Sequence, residues 1–183
     1  WPNRSKKFFP GVNALELLHD VLEQLVGKVS HVVVQVGCTT DPRFLKAVPD
    51  HWPFWRTCSL RYSVPSFQGS TLMGGDVAYV FGPERRPHSA RVAPGECTAN
   101  GHRGRGVGEH PCPRALDHLR WLVRWFSLPT ETVLDPFCGR GTALIAAKEH
   151  ARSAIGWDIE PAYCELARRA LRQREFYELE AAQ

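Results

Sequence analysis

The sequence predicts an α/β fold, doubly wound around a mostly parallel sheet, and three stretches predict it. In residues 131–135, Val133 and Leu134 close a short apolar strand, and Asp135-Pro136 turns the chain out of the sheet. Gly139 and Gly141 then let the backbone pass close to a ligand before Thr142 starts a helix over 143–149. Residues 153–157 read as a second buried strand, ending in the acid Asp158. Pro161 sits where a first helical turn accepts it, and that helix runs to at least Arg172. The third stretch, 31–37, is an apolar, β-branched run whose only polar interior residue is Gln35, the pattern of a buried parallel strand. The first two stretches make one βαβα unit, and an acid 23 residues beyond Asp135 is placed to take the two hydroxyls of a ribose.

The remaining elements follow in order. Asn13 opens an amphipathic helix with Leu15, Leu18, Val21, Leu22 and Leu25 at helical spacing, and Gly27 stops it. Asp41-Pro42 begins a short helix that ends before Pro49. Aromatic and β-branched residues predict strands over 55–63 and 76–81, the second stopped by Gly82-Pro83. The eleven residues from Pro65 to Gly75 read as a loop longer than a tight hairpin. Joined this way, the two strands close the sheet as an antiparallel edge pair. Residues 84–108 show no periodicity and are rich in Pro, Gly and basic residues. They read either as a solvated loop or as a strand-tracking loop whose arginines neutralise phosphates. A helix over 113–126 turns Leu116, Leu119, Trp121, Leu122 and Trp125 inward, and the tail beyond Arg172 stays helical and turns acidic.

Bulk properties narrow the function classes. A length of 183 residues fits one α/β domain with a real core, and no apolar run approaches membrane-spanning length. The first nine residues carry Arg4, Lys6 and Lys7 without a following apolar stretch, so they are no secretory signal. Six scattered cysteines form no Cys-x-x-Cys pair and read as reduced thiols of a cytosolic enzyme. Cys97, His102, His110 and Cys112 have spacings that match no standard zinc finger, so no metal is expected. A net charge of +4 permits a polyanionic partner without demanding one.

Gly139-Arg140-Gly141 lacks the third glycine of a dinucleotide fingerprint. Three segments instead resemble the S-adenosylmethionine-dependent amino-methyltransferases, which methylate exocyclic amines of adenine or cytosine in nucleic acid. They are His110-Pro111-Cys112-Pro113-Arg114, Leu134 to Thr142, and Gly156-Trp157-Asp158-Ile159-Glu160-Pro161. Their order is that of the permuted group, with the catalytic half before the cofactor half. The resemblance is specific over 110–172 and diffuse before that.

The resemblance implies a Rossmann-like methyltransferase fold with an antiparallel edge hairpin in one domain, 1–183. Residues 1–83 would form the acceptor half, 84–109 a basic flexible loop and 110–183 the cofactor half. It implies S-adenosylmethionine as cofactor, held by His110, Pro111, Asp135, Pro136, Phe137, Cys138, Gly139, Gly141, Thr142, Trp157, Asp158 and Ile159. Asp158 would take the ribose, Trp157 and Ile159 the adenine, and Asp135 with the 137–141 turn the amino-acid end. The implied reaction is methylation of adenine, or of cytosine, in a flipped-out base of DNA at a specific site, as in restriction-modification.

Trp1 takes the place of the aromatic residue of an Asp/Asn/Ser-Pro-Pro-aromatic catalytic motif whose other members would lie upstream. An arbitrary chain start is the other reading of Trp1. A non-catalytic subunit that keeps the fold and an RNA amino-methyltransferase are the alternatives. Pro111-Cys112 precedes the helix before the cofactor strand, which is the wrong place for a nucleophilic cysteine. The expected partner is DNA, met by phosphate contacts from Arg85, Arg86, Arg103 and Arg105. Site choice would come from an upstream segment, the 65–75 loop or a partner subunit. The expected setting is the cytoplasm of a bacterial, archaeal or phage-type system, without a membrane.

Overall fold

The computed structural model describes residues 10–84, 92, 94–102 and 114–181. The chain divides into two compact units, Trp1–Arg85 with Pro94–Cys97, and Arg86–Ala93 with Thr98–Gln183.

In the first unit Asn13 caps helix α1 (Ala14–Glu23), its side chain accepting from the Leu15 N–H at 3.1 Å. Ala14, Leu18 and Leu22 form the buried stripe, while Leu15 is exposed. Strand β1 (Val32–Gly37) buries Val32, Val34 and Val36 and leaves Val33 exposed, an alternating pattern rather than the continuous burial expected. A 3-10 helix, Pro42–Ala47, begins at Asp41, whose side chain accepts from the Arg43 N–H. Strands β2 (Phe54–Gln68) and β3 (Thr71–Phe81) are the backbone of this unit, with Cys58, Leu60, Ala78 and Val80 essentially inaccessible. Each such Leu or Val contributes about 1.5–3 kcal/mol of burial.

The sheet order is β1-β3-β2-β4, where β4 is Glu96–His102. The expected antiparallel hairpin of β2 and β3 is present, and β1 also pairs antiparallel with β3, from Val32↔Phe81 to Gly37↔Asp76. The antiparallel part is therefore larger than an edge pair, and β1 is not a parallel neighbour of the strand it touches. Two expectations are corrected here. Residues 65–75 are not a loop, because β2 and β3 run through them and only Gly69 and Ser70 lie between. Pro65 falls in a register irregularity between Arg61 and Ser66, where a missing N–H costs no ladder bond. Gly75 is no turn glycine either. A Cβ there would lie 2.5 Å from the Leu60 carbonyl oxygen, so the residue is small because two strands press together. The low-order reading of 84–108 likewise fails for 96–102. Cys97 and its neighbours enter the sheet edge, next to a bond from the Ser59 N–H to the Gly95 carbonyl at 2.9 Å.

Gln35, the polar interruption in β1, has a partner that explains it. Its amide and the Tyr62 hydroxyl each donate to Asp76 Oδ2 at 3.1 Å, inside the sheet core where Asp76 is 2 % exposed.

The second unit contains helix α2 (Leu116–Phe126), strand β5 (Thr132–Asp135), helix α3 (Thr142–Glu149), strand β6 (Ser153–Gly156) and helix α4 (Pro161–Ala181). β5 and β6 pair in parallel, from Thr132↔Ser153 to Asp135↔Gly156. Of the Leu116, Leu119, Trp121, Leu122 and Trp125 set expected inward, Leu122 is buried and the other four are half-buried; His118, Val123 and Phe126 complete the buried face of α2. Arg120 joins α2 to α3 with two bonds to Glu149, 2.6 and 2.9 Å, and a third to Asp117 at 3.0 Å. The Glu149 carboxylate holds the guanidinium's pKa above its ordinary value. Among the described residues no helix is long and apolar enough to cross a membrane.

Candidate cofactor site

The second unit places ten of the expected residues around one turn. The β5–β6 ladder continues past the strands, with the Trp157 N–H donating to the Asp135 carbonyl (3.1 Å) and the Cys138 N–H to the Trp157 carbonyl (3.0 Å). Between these bonds Asp135 Oδ1 accepts from the Phe137 N–H at 3.1 Å, which folds Pro136 and Phe137 into a tight Asx turn. Gly139 and Gly141 have φ of 50° and 78°, the left-handed region that only glycine enters without strain. The Gly141 N–H closes the turn on the Cys138 carbonyl at 2.7 Å, and Thr142 then begins α3.

Asp158 is the tie of the site. Its Oδ2 accepts from the Gly139 N–H at 2.9 Å and its Oδ1 from the Glu160 N–H at 3.0 Å. A carboxylate offers about four lone-pair positions, so two remain for a ligand's hydroxyls. Trp157 and Ile159 on either side are 41 % and 58 % exposed and offer an apolar wall. Cys138 belongs elsewhere. Its side chain is buried against Leu144 and Ala167, so only its backbone faces the turn, and burial pushes its thiol up to about 12.

Close packing explains why the turn keeps its shape. A Cβ at Gly141 would come 2.9 Å from the Ala167 Cβ on α4, and one at Gly156 would meet Leu144 and Cys138 at 2.8–2.9 Å. Gly156 and Glu160 entered the sequence reading only as members of the resembling segment, without a role, and Tyr163 and Ala167 did not enter it. Glu160 accepts from the Ala162 N–H at 3.3 Å, and an acid just before a proline at a helix start is a readable capping signal. The Tyr163 hydroxyl is pushed above its ordinary pKa by burial and then by Asp158 and Glu160, which puts it in this neighbourhood. Ala167 had no local signal, since only the fold brings it under Gly141. Trp1, His110, Pro111, Arg85, Arg86, Arg103 and Arg105 lie outside the described residues.

Burial, with a smaller repulsion from Asp158, raises the Asp135 carboxyl from 3.8 to about 6. A raised carboxyl destabilises the fold once it ionises. The cost is absent below about pH 4, grows through about pH 6 and levels at up to about 3 kcal/mol. Asp135→Asn, which can still accept from Phe137, should therefore raise stability by about 1–3 kcal/mol at neutral pH. Urea unfolding should show the gain disappearing near pH 3.5; an equal gain at both pH values would refute the burial cost.

Residues 48–169, more than half of the chain, match the DNA methylase family, the N6 and N4 methyltransferases. The chain belongs to this family. Among relatives of these DNA methylases, it is 26 % identical to the type II methyltransferase M.HindIII of Haemophilus influenzae over 154 residues, 76 % of this chain and 50 % of the relative. The chain thus spans half the length of that enzyme. Among solved structures, the M1.HpyAVI–SAM complex superposes with a TM-score of 0.61 at 17 % identity, over 82 % of this chain and 81 % of that one. The PvuII DNA methyltransferase, cytosine-N4-specific, gives 0.57 at 13 % identity, over 82 % and 70 %. At these identities the likeness speaks for the fold, the Rossmann-like fold of SAM-dependent methyltransferases.

Proposed function

We propose that the chain is the methyl-transferring part of a DNA amino-methyltransferase that binds S-adenosylmethionine and acts on the exocyclic amine of adenine, or of cytosine. The observation that carries this is the tie between the Gly139 turn and Asp158, flanked by exposed Trp157 and Ile159, in a chain of the DNA methylase family. The residues present fit the cofactor. Asp158 has acceptor positions left for the ribose hydroxyls, Trp157 and Ile159 offer apolar surface to adenine, and Asp135 offers negative charge to the amino-acid end. His110 and Pro111 would close over that end. When bound, the cofactor supplies an electrophilic methyl on a sulfonium.

The chain's own part is to bind, orient and exclude water. The acceptor amine, conjugated to its ring, is a poor nucleophile, so the reaction depends on holding it in line. The flipped base would stack on Trp1, in the acceptor half, while the basic residues 85–105 hold the backbone. A DNA substrate implies the cytoplasm of a bacterial, archaeal or phage-type system. A partner subunit or an upstream segment would supply site choice.

The test is transfer of labelled methyl from S-adenosylmethionine to duplex DNA, followed by digestion to nucleosides. N6-methyladenine or N4-methylcytosine supports the reading and identifies the base. Label in RNA alone, or none despite cofactor binding, favours the RNA enzyme or the non-catalytic subunit. Replacing Arg103 and Arg105 by Ala should weaken DNA binding alike across sequences and flatten the salt dependence by up to about two phosphate contacts. A changed methylation site at an unchanged salt slope would make that segment a sequence reader instead.

A further inference from the structure

We propose that the tip of the β2–β3 hairpin is a nucleic-acid contact, with Phe67, backed by Leu72, wedging against an opened base step. The proposal rests on the DNA reading above and adds a contact which that reading does not contain. On the β1 side the ladder ends at Gly37↔Asp76, so residues 71–75 of β3 run on beyond β1 with β2 as their partner. This arm leaves the sheet at the Gly37 end of β1. It turns through Gly69, at a φ of 59°, and Ser70.

Phe67 and Leu72 are direct cross-strand partners and hence stand on one face, next to the turn. They are 75 % and 53 % exposed. The opposite face anchors the arm, since Met73 is 2 % exposed and its sulfur lies 3.8 Å from Cys38 Sγ. An apolar pair held out on an anchored arm has no role in this unit's own core.

Size and charge select the occupant. Two side chains cannot supply the roughly 800 Å² per partner that a stable protein interface buries, so a second copy of the chain does not fit. A base step needs only one aromatic or aliphatic wedge. Between His51 and Gly75 the chain carries Arg56 and Arg61, the latter 4.0 Å from Glu96 of β4, and no Asp or Glu, although it has 19 acidic residues in all. Nothing on the arm between Tyr62 and Gly75 repels phosphates, and exposed Ser70 lies in the turn beside the apolar pair.

The experiment is fluorescence anisotropy of a labelled mixed-sequence duplex with the wild-type chain, Phe67→Ala, Leu72→Ala and Phe67→Trp, across a salt series. Phe67→Ala should weaken binding about tenfold and Leu72→Ala less, while Phe67→Trp retains it. The salt slope should stay unchanged, because a stacking contact neutralises no phosphate. S-adenosylmethionine affinity, measured by calorimetry, should be the same in all four proteins. Wild-type binding retained in Phe67→Ala would overturn this inference alone. So would a wild-type dimer that Phe67→Ala dissolves in sedimentation. A wild-type chain that neither binds DNA nor methylates it would overturn the function reading along with it.

Discussion

Asp158→Ala should cost about 2–3 kcal/mol of S-adenosylmethionine binding, roughly a 30- to 150-fold loss, and should also loosen the turn that forms the site. The two losses have different origins. The ribose would lose a charged acceptor. The Gly139 and Glu160 amides, which bond to the carboxylate at 2.9 and 3.0 Å, would lose theirs as well. An amide left without a partner costs about 1–3 kcal/mol where water cannot replace it. Asp158→Asn separates the contributions. Its side-chain oxygen still accepts from one amide, so part of the stability should return while cofactor affinity does not. Calorimetry with urea unfolding on both variants reads the split. An Ala variant that binds the cofactor like wild type would remove Asp158 from the ligand altogether.

The second large effect lies at Gly141. Gly141→Ala should destabilise the second unit by about 3 kcal/mol, combining a left-handed residue that now carries a Cβ with a methyl forced against Ala167. Only the steric part can be relieved from the other side. In an Ala167→Gly background, itself about 1 kcal/mol weaker from glycine in a helix, the added cost of Gly141→Ala should fall to about 1–2 kcal/mol. A double-mutant cycle by denaturation tests this. Strict additivity would mean that the two residues do not press on each other.

The turns between β5 and α4 were legible because most of their chemistry is local. Asp135-Pro136, the two glycines and Pro161 each act on backbone within a few residues, and Asp158 does so at Glu160 while also reaching back to Gly139. The connection of the hairpin was misread because its signals look local and are not. Pro65 and Gly74-Gly75 resemble breakers, yet Gly75 answers to Leu60, fifteen residues away, and Pro65 sits in an irregularity of the ladder. β4 was invisible for a related reason, since its polar residues gain a strand only from the edge they join. The inward face of α2 turned on His118, which is 0 % exposed and which hydropathy alone assigns to the surface.

The buried carboxylate of Asp76 reaches beyond its own bonds. Sliding β3 by one residue would throw its apolar side chains to the wrong face, so hydrophobicity forbids that error by itself. A slide by two residues keeps every side chain on its own face, and hydrophobicity barely resists it. Asp76 does resist it, because the slide would carry its charge away from Tyr62 and Gln35 and leave it in the sheet interior without donors. Three polar side chains thus act as a vernier on the central strand, selecting among alignments that the oily residues cannot tell apart.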